Sequence, residues 1–193
     1  MSTPTADPKA RRLAEREARI VAAARSLAEE QGWEAVTTRR LAEAIGYSQP
    51  VLYGHFPGGR AQILTAVALV GIDELTAAMS TPGHGATGPG RVRALVTAYL
   101  DFAARHPATY EAMFRLPIGV PFASAETPRP LREAFEAIVD ALEALDHPPA
   151  DPGTAAEVLW AAMHGVVALG QAARVSPENQ ERRVEELVGR FVR

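Results

Sequence analysis

Side chains that form hydrogen bonds recur on one face of a short helix predicted near residue 50. Gln49, Tyr53 and His55 lie on this helix, and Leu52 and Phe56 are predicted to point the other way. A glutamine amide can bond two groups on the edge of an adenine at once, and a phenol or an imidazole reaches bases or phosphates. A short helix with such an outer face is typical of elements that enter the major groove of DNA.

A preceding helix and a tight turn are predicted to position this face. Thr37 is a suitable N-cap for a helix whose inner side is Leu41 and Ile45. Gly46 then allows the bend between the two helices. The pattern therefore predicts a helix-turn-helix motif over residues 37–56.

The start of each of the two helices adds further candidate contacts. Ser48 is predicted to cap the second helix, and Pro50 falls in its first turn, where a missing N–H costs little. Thr38 and Arg39 begin the first helix, where the N-terminus favours an anion such as a DNA phosphate. A solvated pair of surface helices would show the same local pattern, so that interpretation stays open at this point.

Composition restricts the classes of protein to be considered. The 193 residues include no cysteine, which excludes disulfides and cysteine-based zinc sites. No apolar run approaches the roughly 18 residues of a membrane span, and the polar N-terminus lacks the apolar core of a signal peptide, so we expect a cytoplasmic protein. Residues 1–60 carry a net charge of +2 and the remainder −5, which fits a DNA-facing head on an acidic body.

Apolar periodicity predicts an all-α fold of about nine helices without useful β-alternation. We expect a disordered arm and the start of helix one over residues 1–14, a DNA-binding domain over 15–62, and a helical ligand-binding and dimerisation domain over 63–193. Proline and glycine predict loops at residues 80–90 and 117–130. The later helices are predicted over residues 92–105, 108–116, 131–145, 154–175 and 177–192.

Roughly residues 15–70 resemble the N-terminal domain of the TetR family of transcriptional regulators. The matching elements are Gly32-Trp33, Thr37-Thr38, Leu41-Ala42, Ile45-Gly46 and Leu52-Tyr53-x-His55-Phe56. The resemblance implies a homodimer that binds a palindromic operator on double-stranded DNA and usually represses. It also implies DNA-facing positions, which together with the cap residue are Thr38, Arg39, Ser48, Gln49, Pro50, Tyr53 and His55.

The sequence departs from the family pattern at one position. Members usually carry a phosphate-binding lysine at the start of the fourth helix, where this chain has Gly59 followed by Arg60. We expect either the Arg60 side chain or the Gly59 backbone N–H to take over that contact.

Trp160 and His164 lie one helical turn apart, and Gly165 follows. With His106-Pro107-x-x-Tyr110 upstream, this element resembles a subgroup of TetR C-terminal domains that is defined by a Trp-His-Gly signature. The resemblance covers roughly residues 90–190. It implies a helical domain for ligand binding or dimerisation, and it does not identify the ligand.

Aromatic and sulfur-containing side chains concentrate on the same helices, which suggests a pocket for a small, mostly apolar effector. Core packing would explain the same residues, so both interpretations stay open. The candidate pocket residues are Tyr99, Phe102, Tyr110, Met113, Phe114, Phe122, Phe135, Trp160, Met163 and His164.

The eighth helix is apolar nearly all round, so it must be buried on several sides. We expect it to form a homodimer interface together with the ninth helix, although burial within a monomer remains the alternative. The candidate interface residues are Val166, Val167, Gly170, Val184, Leu187, Val188 and Phe191.

Motifs of the common catalytic sites are missing from the sequence. It contains no nucleophile elbow, phosphate loop or His-Glu-x-x-His element, so we predict no enzyme, no cofactor and no metal site. The favoured function is a sequence-specific repressor that a small apolar ligand releases from DNA. The alternatives are an all-α ligand-binding bundle, or an adaptor that binds another protein through residues 117–130, in both cases without DNA function.

Overall fold

A computed structural model describes residues 7–81, 87–121 and 124–192. These residues form nine α-helices and no strand, which confirms the predicted all-α fold. The helices are α1 Pro8–Gln31, α2 Thr38–Ile45, α3 Gln49–His55, α4 Gly59–Ser80, α5 Pro89–Arg105, α6 Pro107–Phe114, α7 Arg129–Glu143, α8 Pro152–Gln171 and α9 Gln180–Phe191. Short 3-10 turns at Trp33–Ala35 and Pro177–Asn179 precede α2 and α9.

Side chains near the helix ends determine where several helices begin. The Asp7 carboxylate accepts a hydrogen bond from the Lys9 N–H at 3.0 Å and so caps α1. Gly32 ends α1 with a φ of +77°. Asp151 caps α8 by accepting bonds from the backbone N–H and the hydroxyl of Thr154, and these bonds lower the pKa of Asp151 below its usual value.

The chain divides into two compact units. The first unit runs to Val70 and includes Pro107–Gly119, and the second contains Gly71–His106 and the chain from Val120 onward. The sequence-based boundary lay at residue 62 and assigned α6 to the C-terminal domain. In the structure α6 belongs to the first unit, and the division at residue 70 falls inside α4.

The core of the first unit forms where α1, α2 and α3 pack together, and α6 also packs against α1. Its most buried side chains include Ile20, Ala24, Leu41, Leu52, Tyr110 and Met113. The amphipathic pattern of α2 and α3 therefore directs one side of each helix into this core and leaves the other side exposed.

In the second unit, α5 packs against α7, α8 and α9. Its most buried side chains include Leu95, Tyr99, Leu142, Leu159 and Met163. On α8 the buried positions are Ala156, Leu159, Met163 and Val167, which is the three- and four-residue spacing of a single stripe. The eighth helix is thus buried along one face inside the chain.

The expectation that no apolar stretch approaches membrane length was wrong for two helices. Among the described residues, α4 and α8 are long and apolar enough to cross a membrane. Buried core helices of soluble proteins meet the same criterion, so this property is weak support for a membrane span. Only 22% of the apolar stretch of α8 is buried inside the chain, against 44% for α4.

Some of the sequence-based expectations lie outside the described residues or differ at a boundary. Residues 1–6 of the predicted arm, residues 82–86 of the predicted loop and Phe122 are outside the description. The eighth helix ends at Gln171 rather than residue 175, and the ninth starts at Gln180. The 3-10 turn that Pro177 opens replaces the first turn predicted for that last helix.

Candidate nucleic-acid interface

The turn between α2 and α3 has the geometry that the sequence predicted. Gly46 adopts a left-handed conformation with a φ of +68°, and the Tyr47 N–H donates to the carbonyl of Ala42 at 2.9 Å. The Thr37 hydroxyl accepts a hydrogen bond from the Arg40 N–H at 3.2 Å and caps α2. Because a Cβ is disfavoured in the left-handed region, glycine suits this bend best.

The start of α3 differs from the prediction in one detail. Ser48 occupies the N-cap position, but its side chain makes no capping hydrogen bond, so the predicted role of its hydroxyl was wrong. Its backbone carbonyl instead accepts from the N–H groups of Val51 and Leu52 at 3.1 and 3.3 Å. Pro50 lies in the first turn, as predicted.

The outer side of α3 is exposed and its inner side is buried. Tyr53 is 48% exposed, whereas Leu52 is 1% exposed. Gln49 lies one turn before Tyr53, so both side chains belong to the same face. The predicted contact residues on the surface of α2 and α3 are Arg39, Ser48, Gln49, Pro50 and Tyr53, with Thr38 half-buried beside them.

Gly59 lies beside two of these residues, Tyr53 and Thr38. It is buried with a φ of +58°, and a Cβ built on it would lie 3.2 Å from Cε1 of Tyr53 and 3.9 Å from Cγ2 of Thr38. Its N–H donates to the carbonyl of Phe56 at 2.8 Å. The expectation that this N–H binds a phosphate was therefore wrong, because the N–H already has a partner.

The Arg60 side chain forms hydrogen bonds inside the first unit. Its Nε donates to the carbonyl of Val36 and its Nη2 to the carbonyl of Trp33, both at 2.8 Å. These carbonyls belong to the first residue of the 3-10 turn that precedes α2 and to the residue that follows this turn. The guanidinium is thereby held against the backbone while the residue remains exposed, so a phosphate contact of Arg60 in place of the family's lysine stays a prediction.

His55 lies away from the outer face that was predicted for it. Its side chain is 6% exposed, and Nδ1 lies 3.4 Å from Oε1 of Glu17 on α1. A residue six positions after Gln49 is rotated by roughly 120° from it around a helix of 3.6 residues per turn. In the free chain this residue connects the end of α3 with α1, and its predicted DNA contact stays a prediction.

Arg39 is on the surface near the start of α2. Its Nε lies 3.0 Å from Oε1 of Glu43, in an ion pair whose side chains are both largely exposed. Such a pair contributes at most about 1 kcal/mol, so a phosphate can replace the carboxylate at little cost.

A contact that was not predicted from the sequence joins the turn to α1. The Arg19 guanidinium lies over the ring of Tyr47, 5.4 Å from its centroid, and Nη1 donates to the phenol oxygen at 3.2 Å. The two residues are 28 positions apart. No local pattern predicts a contact over this distance. The only hint in the sequence was an aromatic residue, Tyr47, directly before the Ser48 cap position.

The predicted pocket residues are divided between the two units. Tyr110, Met113 and Phe114 belong to the first unit, where the Tyr110 and Phe114 rings lie 4.8 Å apart. The second unit contains buried Tyr99, Phe102 and Met163 and half-buried Phe135, Trp160 and His164. The chain therefore does not place the whole set in one unit, and a pocket stays a prediction.

Three of the predicted dimer residues are already buried in the single chain. Val167, Val184 and Val188 pack into the core of the second unit, which leaves little of their surface for a second copy, and their assignment to an interface stays a prediction. The remaining candidates are half-buried Val166, Leu187 and Phe191 and exposed Gly170. The large apolar residues most exposed on α8 are Val158 and Leu169, at 55% and 48%.

Within residues 7–81, 87–121 and 124–192, no group of three or more His, Cys, Asp or Glu side chains is placed to hold a metal ion.

Two family descriptions match the chain. Residues 20–67 match the bacterial regulatory proteins of the tetR family, and residues 92–191 match the tetracyclin repressor-like C-terminal domain. The chain belongs to the TetR family. It is therefore a DNA-binding transcriptional regulator and not an enzyme, and the alternatives without DNA function are set aside. The Trp-His-Gly subgroup stays a prediction.

Relatives of known sequence include an uncharacterized HTH-type transcriptional regulator from Mycobacterium tuberculosis, 29% identical over 152 residues, which are 78% of this chain and 67% of that protein. The tetracycline repressor protein class C from Escherichia coli is 40% identical over 70 residues, which are 36% of this chain and 28% of the repressor. A solved structure of a protein with unknown function from Rhodococcus sp. RHA1 shares the fold over 100% of both chains, with a TM-score of 0.75 and 24% identity.

Proposed function

We propose that this TetR-family regulator binds a palindromic operator as a homodimer, represses transcription in the cytoplasm, and is released from DNA by a small, mostly apolar effector. The outward-facing pair of Gln49 and Tyr53 on α3 carries the proposal, because these residues are exposed on a helix whose other side is buried. Repression is supported by the similarity of 70 residues of the chain to the tetracycline repressor protein class C.

In this proposal α2 and α3 make different kinds of contact with DNA. Gln49 in the first turn of α3 is the candidate for reading an adenine edge, because its amide offers one donor and one acceptor. Tyr53, one turn later, lies beside Gly59, where a Cβ would come within 3.2 Å of its Cε1. Thr38 and Arg39 at the N-terminus of α2 are the candidates for phosphate contacts, which position the protein without reading sequence.

A palindromic operator requires two recognition helices, and α8 supports the pairing of two copies. Val158 and Leu169 are the large exposed apolar residues of α8, with exposed Ala161 and Ala168 between them. Gly165, also between them, is half-buried, and a Cβ on it would meet nothing within 4 Å. An exposed apolar helix face of this kind marks an interaction surface, and a second copy presents the same face to it.

The effector is expected in the second unit, at the half-buried pair of Trp160 and His164 on α8. The continuous helix α4 belongs to the first unit up to Val70 and to the second unit from Gly71. We propose that the effector favours a position of α4 different from the one that binds the operator, and that this change moves Gly59, the first residue of α4, beside Tyr53. The loss of operator affinity cannot exceed the factor by which the effector binds the one position of α4 more tightly than the other.

His164→Ala tests the effector site with anilinonaphthalene sulfonate as an apolar probe. If His164 binds the effector, the variant loses probe affinity but keeps its melting temperature and its operator affinity without ligand. A parallel fall in melting temperature and operator affinity would instead show that His164 only stabilises the fold.

Selection of duplexes from a random pool tests DNA recognition directly. We expect an inverted repeat whose half-site centres lie about 34–36 Å apart, or a multiple of that distance. A pool without an enriched sequence would reject operator recognition by α3. Enrichment of a single half-site would retain recognition and reject the dimer.

A further inference from the structure

The first half of α1 projects from the core of the first unit. All residues from Pro8 to Arg19 are exposed, and Ile20 is the first buried residue of this 24-residue helix. A helical stretch that is exposed all round gains no stability from burial, and such stretches are marginal by propensity alone. Its charged side chains are therefore the features through which it can act.

Four cations share one face of this projecting stretch. Lys9, Arg12, Arg16 and Arg19 follow one another at steps of three, four and three residues. Side chains at these steps are neighbours along one helix face. We call these four residues the basic stripe, and the ten helical steps from Lys9 to Arg19 correspond to roughly 15 Å along the helix axis.

The glutamates of the same stretch interact with residues that do not belong to the basic stripe. Glu15 bonds Arg11 with Nε to Oε1 at 2.9 Å, and Glu17 lies against His55. Among the described residues, no carboxylate lies within ion-pair distance of Arg12 or Arg16. The stripe is thus cationic along its length in a protein whose net charge is −3.

One end of the basic stripe is fixed beside the predicted base-reading helix. Arg19 lies over the ring of Tyr47 and donates to its hydroxyl. Tyr47 directly precedes Ser48 and Gln49. The stripe therefore continues from the turn that leads into α3, and it is not an isolated patch of charge.

We propose that the basic stripe is a second DNA-contacting surface, which binds backbone phosphates next to the bases that α3 reads. The proposal rests on the operator binding proposed above. Duplex DNA carries one negative charge per about 1.7 Å of its axis, so several phosphates lie within the length of the stripe. Its cations add affinity for any duplex and carry no information about base sequence.

The double variant Arg12→Gln/Arg16→Gln tests the proposal, because both positions are exposed and glutamine is a good helix former. Binding is measured by fluorescence anisotropy to the selected operator and to an unrelated duplex of equal length, over a series of salt concentrations. We expect the slope of log affinity against log salt to fall by about 3.6 for the dimer, because each of its two protomers loses two contacts at about 0.9 per contact. Affinity for both duplexes should fall by a similar factor, and the selected sequence should not change.

Two control variants keep this test specific. Arg12→Lys/Arg16→Lys retains the charge, so its salt slope should stay near that of the natural chain, because lysine also binds phosphate as a point charge. Arg93→Gln removes an exposed arginine from α5 in the second unit, and its slope should not change. The melting temperature of each variant verifies that it folds.

An unchanged slope in a folded Arg12→Gln/Arg16→Gln variant would overturn the proposal, and so would a change in the selected bases. If the proposed operator binding itself is wrong, the result is different, because the natural chain would then bind the operator no better than the unrelated duplex. In that case a reduced slope on the unrelated duplex would still support the stripe as a phosphate-binding surface.

Discussion

The indole N–H of Trp33 donates a 2.8 Å hydrogen bond to the backbone carbonyl of Ala108, 75 residues away. Glu29, one turn earlier on α1, accepts from the N–H groups of Ala108 and Thr109 at 3.0 and 2.9 Å, and from the Thr109 hydroxyl at 2.7 Å. The first N–H groups of a helix have no partner within it. Glu29 therefore caps the first turn of α6 from a distant part of the chain, and the carbonyl of Ala108 in that turn accepts the indole N–H of Trp33.

Glu29→Ala removes three of these hydrogen bonds. We expect the free energy of unfolding to fall by about 1–3 kcal/mol, because the N–H of Thr109 and its buried hydroxyl lose their acceptor. Urea denaturation measures this difference. Glu30→Ala is the matched control on the same helix, since Glu30 is exposed and its change should stay within about 0.5 kcal/mol. Equal losses for both variants would contradict the capping role of Glu29.

Local sequence signals were sufficient for the helices and for the Gly46 turn, since periodicity, caps and glycine act over a few residues. They were insufficient where a side chain has a distant partner. The bonds from Arg60 to Trp33 and Val36 and the contact of His55 with Glu17 span 24 to 38 residues. Sequence spacing does not reveal these internal partners, so only DNA contacts were predicted for the side chains of Arg60 and His55.

Arg60→Gln distinguishes an internal role of Arg60 from a phosphate contact. We expect a loss of about 1–2 kcal/mol in unfolding free energy, because buried carbonyl partners lose a charged donor. The salt dependence of DNA binding should not change. Arg39→Gln provides the contrast, with nearly unchanged stability and a salt slope lower by about 1.8, because the dimer loses one contact of about 0.9 from each protomer. A stable Arg60→Gln variant with a reduced slope would show that Arg60 binds phosphate after all.

Gly59→Ala tests whether Gly59 positions Tyr53. The left-handed backbone alone costs a non-glycine residue on the order of 1–2 kcal/mol, and the new Cβ would also press on Cε1 of Tyr53 at 3.2 Å. Gly46→Ala is the matched control, because its φ is also positive but its Cβ would meet nothing within 4 Å. We therefore expect both variants to lose stability, and Gly59→Ala to lose more operator affinity in anisotropy titrations. Equal loss of operator affinity would show that Tyr53 does not depend on Gly59.

Gln49→Ala should relax base preference at one position in each half-site. A bidentate contact with a base contributes about 1–3 kcal/mol of discrimination. Because Gln49 is exposed, the melting temperature should hardly change. Duplex selection with the variant measures the preference at every position. If the selected sequence were the same as that of the natural chain, Gln49 would not read a base, and α3 would lie differently in the groove.

Val158→Glu/Leu169→Glu should give a folded monomer. Both side chains are about half exposed in the single chain, so a carboxylate there remains solvated in a monomer but would be buried in a dimer that uses this face of α8. Sedimentation velocity measures the oligomeric state, and circular dichroism measures folding. Val167→Glu is the contrasting variant, because Val167 is 8% exposed and a carboxylate there should unfold the second unit instead. The folded monomer should also lose operator affinity, since its two recognition helices would bind the half-sites independently rather than as linked modules. A double variant that stays dimeric would show that the copies associate through another surface.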